Sequence, residues 1–462
     1  MKQVHIFNWL MAAAFAMSVT ACGGGGGSGA ANSPGVSASL AAAAALAAND
    51  ASNMDNPSAP FVVVQDAGLA AVTVNSPPVV NFAVFSDGKP VTGLTTSNAR
   101  FAIAKLVPGA NGSPDQWVNY VSSSKAATAG VGPGGTPVLS AAAQASTDSG
   151  GTLVYNADGY YTYTFKTDIT NVSGITYEPS RTHRVAIQLS YKNAADETVL
   201  VNPYFDFTIS GGKSVQVTDS SKTRKMTDVT SCNSCHEKLA LHGGGRVDTQ
   251  FCVMCHNPGT TDPESGNNLN LATMVHSIHA GKKIEADSGT EYTIWGYRDS
   301  KHDYAEVGFP QDLRNCTKCH DGSNPKTPQG DNWKTVISKE ACLTCHTDKA
   351  LGSWDTTHKS LAQTLIGSTA VASDLTNSQC KNCHSPGSDY SPEVVHFNQV
   401  ETNSAKYKMN IESATYVAGD NVSKNGTVTV KYYLTDPTNG DVAYDLSSDA
   451  RFAKVYLYLA YQ

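Results

Sequence analysis

Cysteine is missing from two long stretches of this 462-residue chain: none occurs between residues 23 and 231, and none follows residue 383. Neither stretch can therefore carry a disulfide framework or a thiolate metal site. Charge is sparse as well. Only 16% of residues are charged and the formal net charge is −7, so there is no basic face of the kind nucleic acid requires, and nucleic acid is set aside as a partner. No apolar run makes a confident membrane span, because the segment from Ile6 to Ala21 is short and rich in small residues. Glycine (39) and proline (20) are plentiful in a composition that is 40% hydrophobic. Such a chain is globular, turn-rich and long enough for two or three domains.

The first residues, MKQVHIFNWLMAAAFAMSVTACGG, combine one basic residue, a short apolar core and small residues before Cys22, the pattern of an export signal. Val19-Thr20-Ala21-Cys22 resembles the lipobox of bacterial lipoproteins, which implies a signal peptide over 1–21 and Cys22 as a lipid anchor. The Gly/Ala/Ser-rich residues 22–56 then form a flexible tether between membrane and folded protein. More than one acyl chain on Cys22 makes the anchoring stable.

From Phe61 to Ser220 apolar residues recur with period two: Tyr161, Tyr163 and Phe165; Val185, Ile187, Leu189 and Tyr191; Phe205, Phe207 and Ile209. Asp87-Gly88 and Asp158-Gly159 supply turn signals. The fold class expected over 57–228 is all-β, an antiparallel sandwich or split barrel. Over 229–397 the strand pattern gives way to short helices and loops, with too few periodic apolar runs to fill a core unaided. After Val395 strands return, with Val428, Val430, Tyr432 and Leu434 on one face and then Val455, Leu457 and Leu459, so 398–462 reads as a partial second β domain. That last pattern stops at Gln462 without a turn signal or cap, which suggests a longer parent protein.

The middle segment holds the chemistry. C-x-x-C-H occurs five times: Cys232/Cys235/His236, Cys252/Cys255/His256, Cys316/Cys319/His320, Cys342/Cys345/His346 and Cys380/Cys383/His384. This is the attachment signature of c-type haem. The two thiols add to two vinyl groups along one porphyrin edge, and the adjacent histidine then lies beneath the iron. Zinc competes, since the first four cysteines fall at zinc-ribbon spacing, but a four-cysteine site has no use for the histidine after every pair, and five pairs leave one over. The reading is five covalently bound haem c groups.

Seven histidines lie outside the motifs and the signal: His183, His242, His276, His279, His302, His358 and His396. Five would fill the distal positions of five six-coordinate irons. A helix running from His236 to His242 would rise by about 9 Å, too far for both residues to grip one iron, so His242 belongs to a neighbouring haem, with Gly243 to Gly245 ending that helix. His276 and His279 are three residues apart on one helix face, able to address two haems. His183 sits in a strand and reads as structural, while His302 is ambiguous.

With these residues in view, the chain resembles the OmcA/MtrC family of outer-membrane multihaem cytochromes. The resemblance rests on CNSCHEKLALHGGGRVD, CVMCHNPGTTDPESGN, MVHSIHAG, FPQDLRNCTKCHDG, ARFAIAKLVPG, DGYYTYTF and THRVAIQL, and covers about 61–398. It implies alternating β and five-haem domains, bis-histidine ligation, and transfer of respiratory electrons to extracellular metal oxides, ferric chelates or flavins. It further implies a cell-surface location, with an outer-membrane β-barrel and a periplasmic multihaem cytochrome as partners. On the family pattern, His242, His276, His279, His358 and His396 fall at distal positions. Two departures stand out: only five motifs are present, and neither β segment has the cysteine pair that some members carry. A rival reading is a reductase acting on a small molecule such as nitrite at an open iron, but the C-x-x-C-K motif often found beside such a site is absent. A third makes the β domain a module for binding a protein or mineral.

Overall fold

The computed structural model describes residues 40, 61–63, 69–86, 89–193, 195–346, 354–397, 399–420 and 426–452. The export signal, Cys22, nearly all of the tether, the Asp87-Gly88 turn and the strand pattern from Val455 to Leu459 lie outside the described residues.

Every strand pair in the first segment is antiparallel, as the alternation of the sequence requires. A 12-stranded sheet runs in the spatial order Gln116–Asn119, Ala99–Val107, His183–Lys192, Tyr204–Ser210, Lys213–Gln216, Val72–Val74, Pro78–Ser86, Tyr161–Thr164 and Thr152–Tyr155, with three short strands paired beside this path. Strands far apart in that order meet across the interior. Phe101 stacks on Tyr163 with ring centroids 3.7 Å apart, and Phe82 lies 5.6 Å from Phe101. The sheet therefore closes over one core, in which Val80, Phe82, Phe101, Ile103, Tyr161, Tyr163, Val185, Ile187 and Phe207 are buried. Aromatic pairs of this kind add about 0.5–1.5 kcal/mol each beyond their burial. Asp158-Gly159 turns the chain between two paired strands, with Gly159 at φ 94°.

The outer face of this sheet is covered too. Ala102, Ala104 and Ala186 point away from the first core, and their small side chains leave room for Phe251 and Met254 of the region that follows. Here Arg184 is fully buried between the rings of Trp117 and Tyr204, 4.4 Å from each centroid. It pairs with Asp206 through Nε and Nη2 at 2.6 and 2.8 Å and donates from Nη1 to Gln250 Oε1 at 2.9 Å. A second seam joins the Ser122–Ala126/Ala141–Ala145 hairpin to residues 261–264. Thr261 donates its N–H to Ala143 O, and Lys125 reaches the buried Glu264 at 3.0 Å.

From residue 229 the chain is short helices and loops. Among the described residues a small buried apolar cluster there is Ala362, Ala370 and Leu375, while Leu241, Leu361, Leu365, Tyr390, Val394, Val395 and Phe397 are exposed around the motifs. Beyond it, a helix at Gln399–Ser404 leads into a three-stranded sheet of Lys408–Val417, Thr427–Asp436 and Val442–Ala443. Val430, Tyr432 and Leu434 are its half-buried face, and Lys408–Val417 is a strand that the alternation did not announce. No helix among the described residues is long and apolar enough to cross a membrane.

Candidate functional site

The five motifs are built alike. In one helical turn, residues i, i+3 and i+4 share a face, so both thiols and the imidazole of C-x-x-C-H point to the same side. Side-chain caps start four of these turns. Asp228 accepts from Thr230 N before Val229–His236, Asp248 from Gln250 N before Thr249–Cys252, and Ser338 from Ala341 N before Lys339–Cys342. Thr376 and Gln379 form a reciprocal capping box on Asn377–His384. Cys316–Lys318 is a single 3₁₀ turn. No disulfide joins the ten cysteines of these turns, and burial pushes the Cys232 and Cys342 thiols up to about 11 and Cys252 up to about 12.

Each motif histidine faces one histidine from elsewhere in the chain. Ring centroids are 6.0 Å apart for His236 and His279, 5.9 Å for His256 and His242, and 6.2 Å for His320 and His276. They are 5.8 Å apart for His346 and His396 and 6.4 Å for His384 and His358. Two imidazoles that bind one metal ion from opposite sides, each at about 2 Å, have ring centres about 6 Å apart, so the spacing of every pair would let both rings hold one iron. No three His, Cys, Asp or Glu side chains converge among the described residues, so the first four cysteines do not form a zinc ribbon.

Hydrogen bonds fix the tautomers. Nδ1–H donates to a backbone carbonyl in His256 (Leu269, 2.9 Å), His279 (Val275, 2.9 Å), His358 (Trp354, 3.0 Å), His384 (Tyr390, 2.8 Å) and His396 (Pro392, 2.9 Å). That leaves Nε2 as the free acceptor, the arrangement that metal-binding histidines use. His320 Nδ1 is buried without a partner of good geometry. Desolvation by surrounding protein atoms lowers His242 and His276 below the ordinary imidazole value, although both side chains still reach solvent.

The helix Leu271–His279, capped by Asn270, carries His276 toward the third motif and His279 toward the first. His242 lies on no helix. Val229–His236 already ends at His236, followed by Glu237 at φ 54°, so Gly243 to Gly245 do not terminate a helix as the sequence suggested. They form a turn closed by paired hydrogen bonds between Leu241 and Arg246, and Gly243 and Gly244 adopt φ 76° and 89°, positions that favour glycine. A Cβ on Gly245 would collide with Gln188 of the sheet.

The two remaining histidines stand apart. His183 is buried, with Nε2 3.0 Å from the Tyr120 hydroxyl and Nδ1 2.9 Å from Arg181 O. His302 is exposed in the strand Lys301–Asp303, with Nε2 3.1 Å from Ser300 Oγ. The polar residues that sequence reasoning missed are Arg184 and Gln250, which join the sheet to the helix bearing Cys252. Their signal was indirect: the alanines at Ala102, Ala104 and Ala186 mark an outer face that must be covered.

Comparison with known proteins gives a consistent picture. Residues 224–397 match the family described as outer membrane cytochrome MtrC/MtrF-like, domains II/IV, and residues 65–214 match the OmcA-like N-terminal domain. The chain is 28% identical over 334 residues to the multihaem cytochrome MtrC of Shewanella baltica (strain OS185), covering 70% of this chain and 40% of that protein. Among solved structures it resembles the outer membrane decahaem cytochrome OmcA, with a TM-score of 0.55 and 26% identity, covering 81% of this chain and 53% of that one. The chain thus spans about half, or less, of the length of these relatives.

Proposed function

The chain belongs to the OmcA/MtrC family of multihaem c-type cytochromes, and we propose that it carries respiratory electrons at the outer-membrane surface to extracellular acceptors such as metal oxides, ferric chelates or flavins. In this reading it holds five haem c groups through thioethers at Cys232, Cys235, Cys252, Cys255, Cys316, Cys319, Cys342, Cys345, Cys380 and Cys383. The histidine pairs that would hold the irons are His236/His279, His256/His242, His320/His276, His346/His396 and His384/His358. A β domain over 57–228 packs on a five-haem domain over 229–397, followed by β structure over 398–462. Cys22 is the lipid anchor, and an outer-membrane β-barrel and a periplasmic multihaem cytochrome are the partners.

The observation that carries the reading is the pairing of all five motif histidines with a second imidazole at 5.8–6.4 Å. Haem supplies reversible one-electron chemistry. The protein's part would be to present Nε2 of five of these ten histidines through their Nδ1 bonds, to surround the groups with apolar side chains, and to offer each iron two imidazoles. Carbon monoxide added to the dithionite-reduced holoprotein should bind little, while stopped-flow mixing with ferric chelates or oxidised flavin should empty all the haems. Prompt stoichiometric carbon monoxide binding, with nitrite turnover faster than that oxidation, would establish the reductase instead.

A further inference from the structure

The histidines that face the motifs differ in what orients them. His279, His358 and His396 each donate Nδ1–H to the carbonyl four residues back, a bond that their own helical turn supplies. His276 rides on the same helix as His279. His242 has no helix behind it and, among the described residues, no hydrogen bond to its ring. Its backbone stands at φ 52°, in the left-handed region that a residue other than glycine keeps only where its surroundings hold it there.

The first β domain does the holding. Asn202 is 1% exposed, in the short connection between the strands Thr198–Val201 and Tyr204–Ser210. Its Nδ2 donates to Gly245 O at 3.0 Å, and its Oδ1 accepts from Val247 N at 2.7 Å. These two residues flank Arg246, whose backbone exchanges hydrogen bonds with Leu241 at 3.0 and 3.2 Å and so closes the loop that carries His242. A further Nδ2 bond to Val201 O at 2.8 Å fixes the amide's orientation. The connection is itself anchored, because Val201 is buried in the first core and Pro203 O accepts from Ile187 N at 2.9 Å.

The other side of this pair is supported differently. Asn119 of the β domain, 4% exposed, donates from Nδ2 to Met254 O inside the second motif at 2.6 Å. His256 has further support: its own Nδ1–H donates to Leu269 O at 2.9 Å, and Asn257 Nδ2 donates to Met254 O at 3.0 Å.

We propose that Asn202 is a positioning residue that, from the β domain, sets the backbone aiming His242 at the iron it shares with His256. The inference rests on the five-haem reading above. It makes the second haem site an interdomain one, completed by a residue outside the segment that carries the motifs. Without the carboxamide, Gly245 O and Val247 N lose their partner, and the closed loop loses its tie to the sheet. The strained φ at His242 then relaxes, and the imidazole leaves its place 5.9 Å from His256.

The test is electron paramagnetic resonance of oxidised holoprotein variants. Asn202→Leu should turn one haem high-spin, the same one as in His242→Ala, so that the double variant shows no second high-spin haem. Added imidazole should return that haem to low spin, because it fills an emptied axial position but does not repair a loosened domain. Asn202→Asp keeps the size of the side chain and the acceptor for Val247 N while setting a carboxylate oxygen against the Gly245 and Val201 carbonyls. It should give the same signal, and it decides the matter if Asn202→Leu yields no holoprotein. Asn119→Leu loosens the same seam but should leave every haem low-spin. A wild-type protein that contains zinc, or lacks haem at these motifs, would refute the haem reading. In a five-haem protein, only low-spin haems in either Asn202 variant, or a high-spin haem in Asn119→Leu, would refute this inference alone.

Discussion

Replacing Arg184 by Met removes one partner of an ion pair that is 0% and 5% exposed at its two ends. Asp206 would be left buried with both carboxylate oxygens having lost a guanidinium donor, and Gln250 would lose the donor to its Oε1 and carbonyl. Breaking such a pair from one side costs about 3–5 kcal/mol, most of it the stranded charge. Lys225, whose Nζ is 4.0 Å from Asp206 Oδ2, offsets part of this, so about 3 kcal/mol is the expected loss. Urea unfolding of the holoprotein, followed by far-ultraviolet circular dichroism, measures it. The double variant Arg184→Met/Asp206→Leu removes both charges and should recover to within about 1 kcal/mol of the parent, since apolar replacements of a buried pair are often neutral. The reasoning fails if Arg184→Met costs less than about 1 kcal/mol, or if the double variant is as unstable as the single one.

Three further outcomes are expected. Intact-mass analysis after acid-acetone extraction should show five covalently retained haems; zinc in place of iron would exclude them. Changing His242, His276, His279, His358 or His396 singly to Ala should each give one high-spin haem, whereas His183→Ala and His302→Ala should give none; a high-spin signal from His302→Ala but not from His358→Ala would reverse the assignment. Burial lowers His183 to about 4 from an ordinary 6.5, so the unfolded chain binds more protons between these values and stability falls as pH drops from about 6.5 to about 4, by about 3 kcal/mol in all. His183→Gln should flatten the urea midpoint across that window, and an unchanged slope would show that His183 is not the titrating group.

Much of this was legible in the sequence because local rules carry it. Tyr161, Tyr163, Val185, Ile187 and Phe207 alternate inward as their period demands, and each C-x-x-C-H needs only one helical turn to align its two thiols and its imidazole. What period two could not reveal is a strand buried on both faces. Arg184 falls on the outward side of His183–Lys192, where alternation predicts solvent, and only the later segment bringing Phe251 and Met254 covers it. The distal histidines were legible as a pool of seven, and the family resemblance narrowed them. Which one faces which motif is set by the path of the loops: His242 turns to the second motif because the helix ends at His236 and a glycine turn redirects the chain. The strand Lys408–Val417 escaped notice because few of its side chains are even half-buried, so its sequence carries little burial pattern.

The helix Leu271–His279 bears on how such a protein is put together. On the proposed pairing, its two imidazoles serve a motif that is synthesised early, at Cys232, and another that follows later, at Cys316. Between those events the helix can satisfy His279 but not His276. A chain with only its first two motifs filled therefore keeps His276 without its partner. On that pairing the helix is tied to both motifs only once the first and the third are filled.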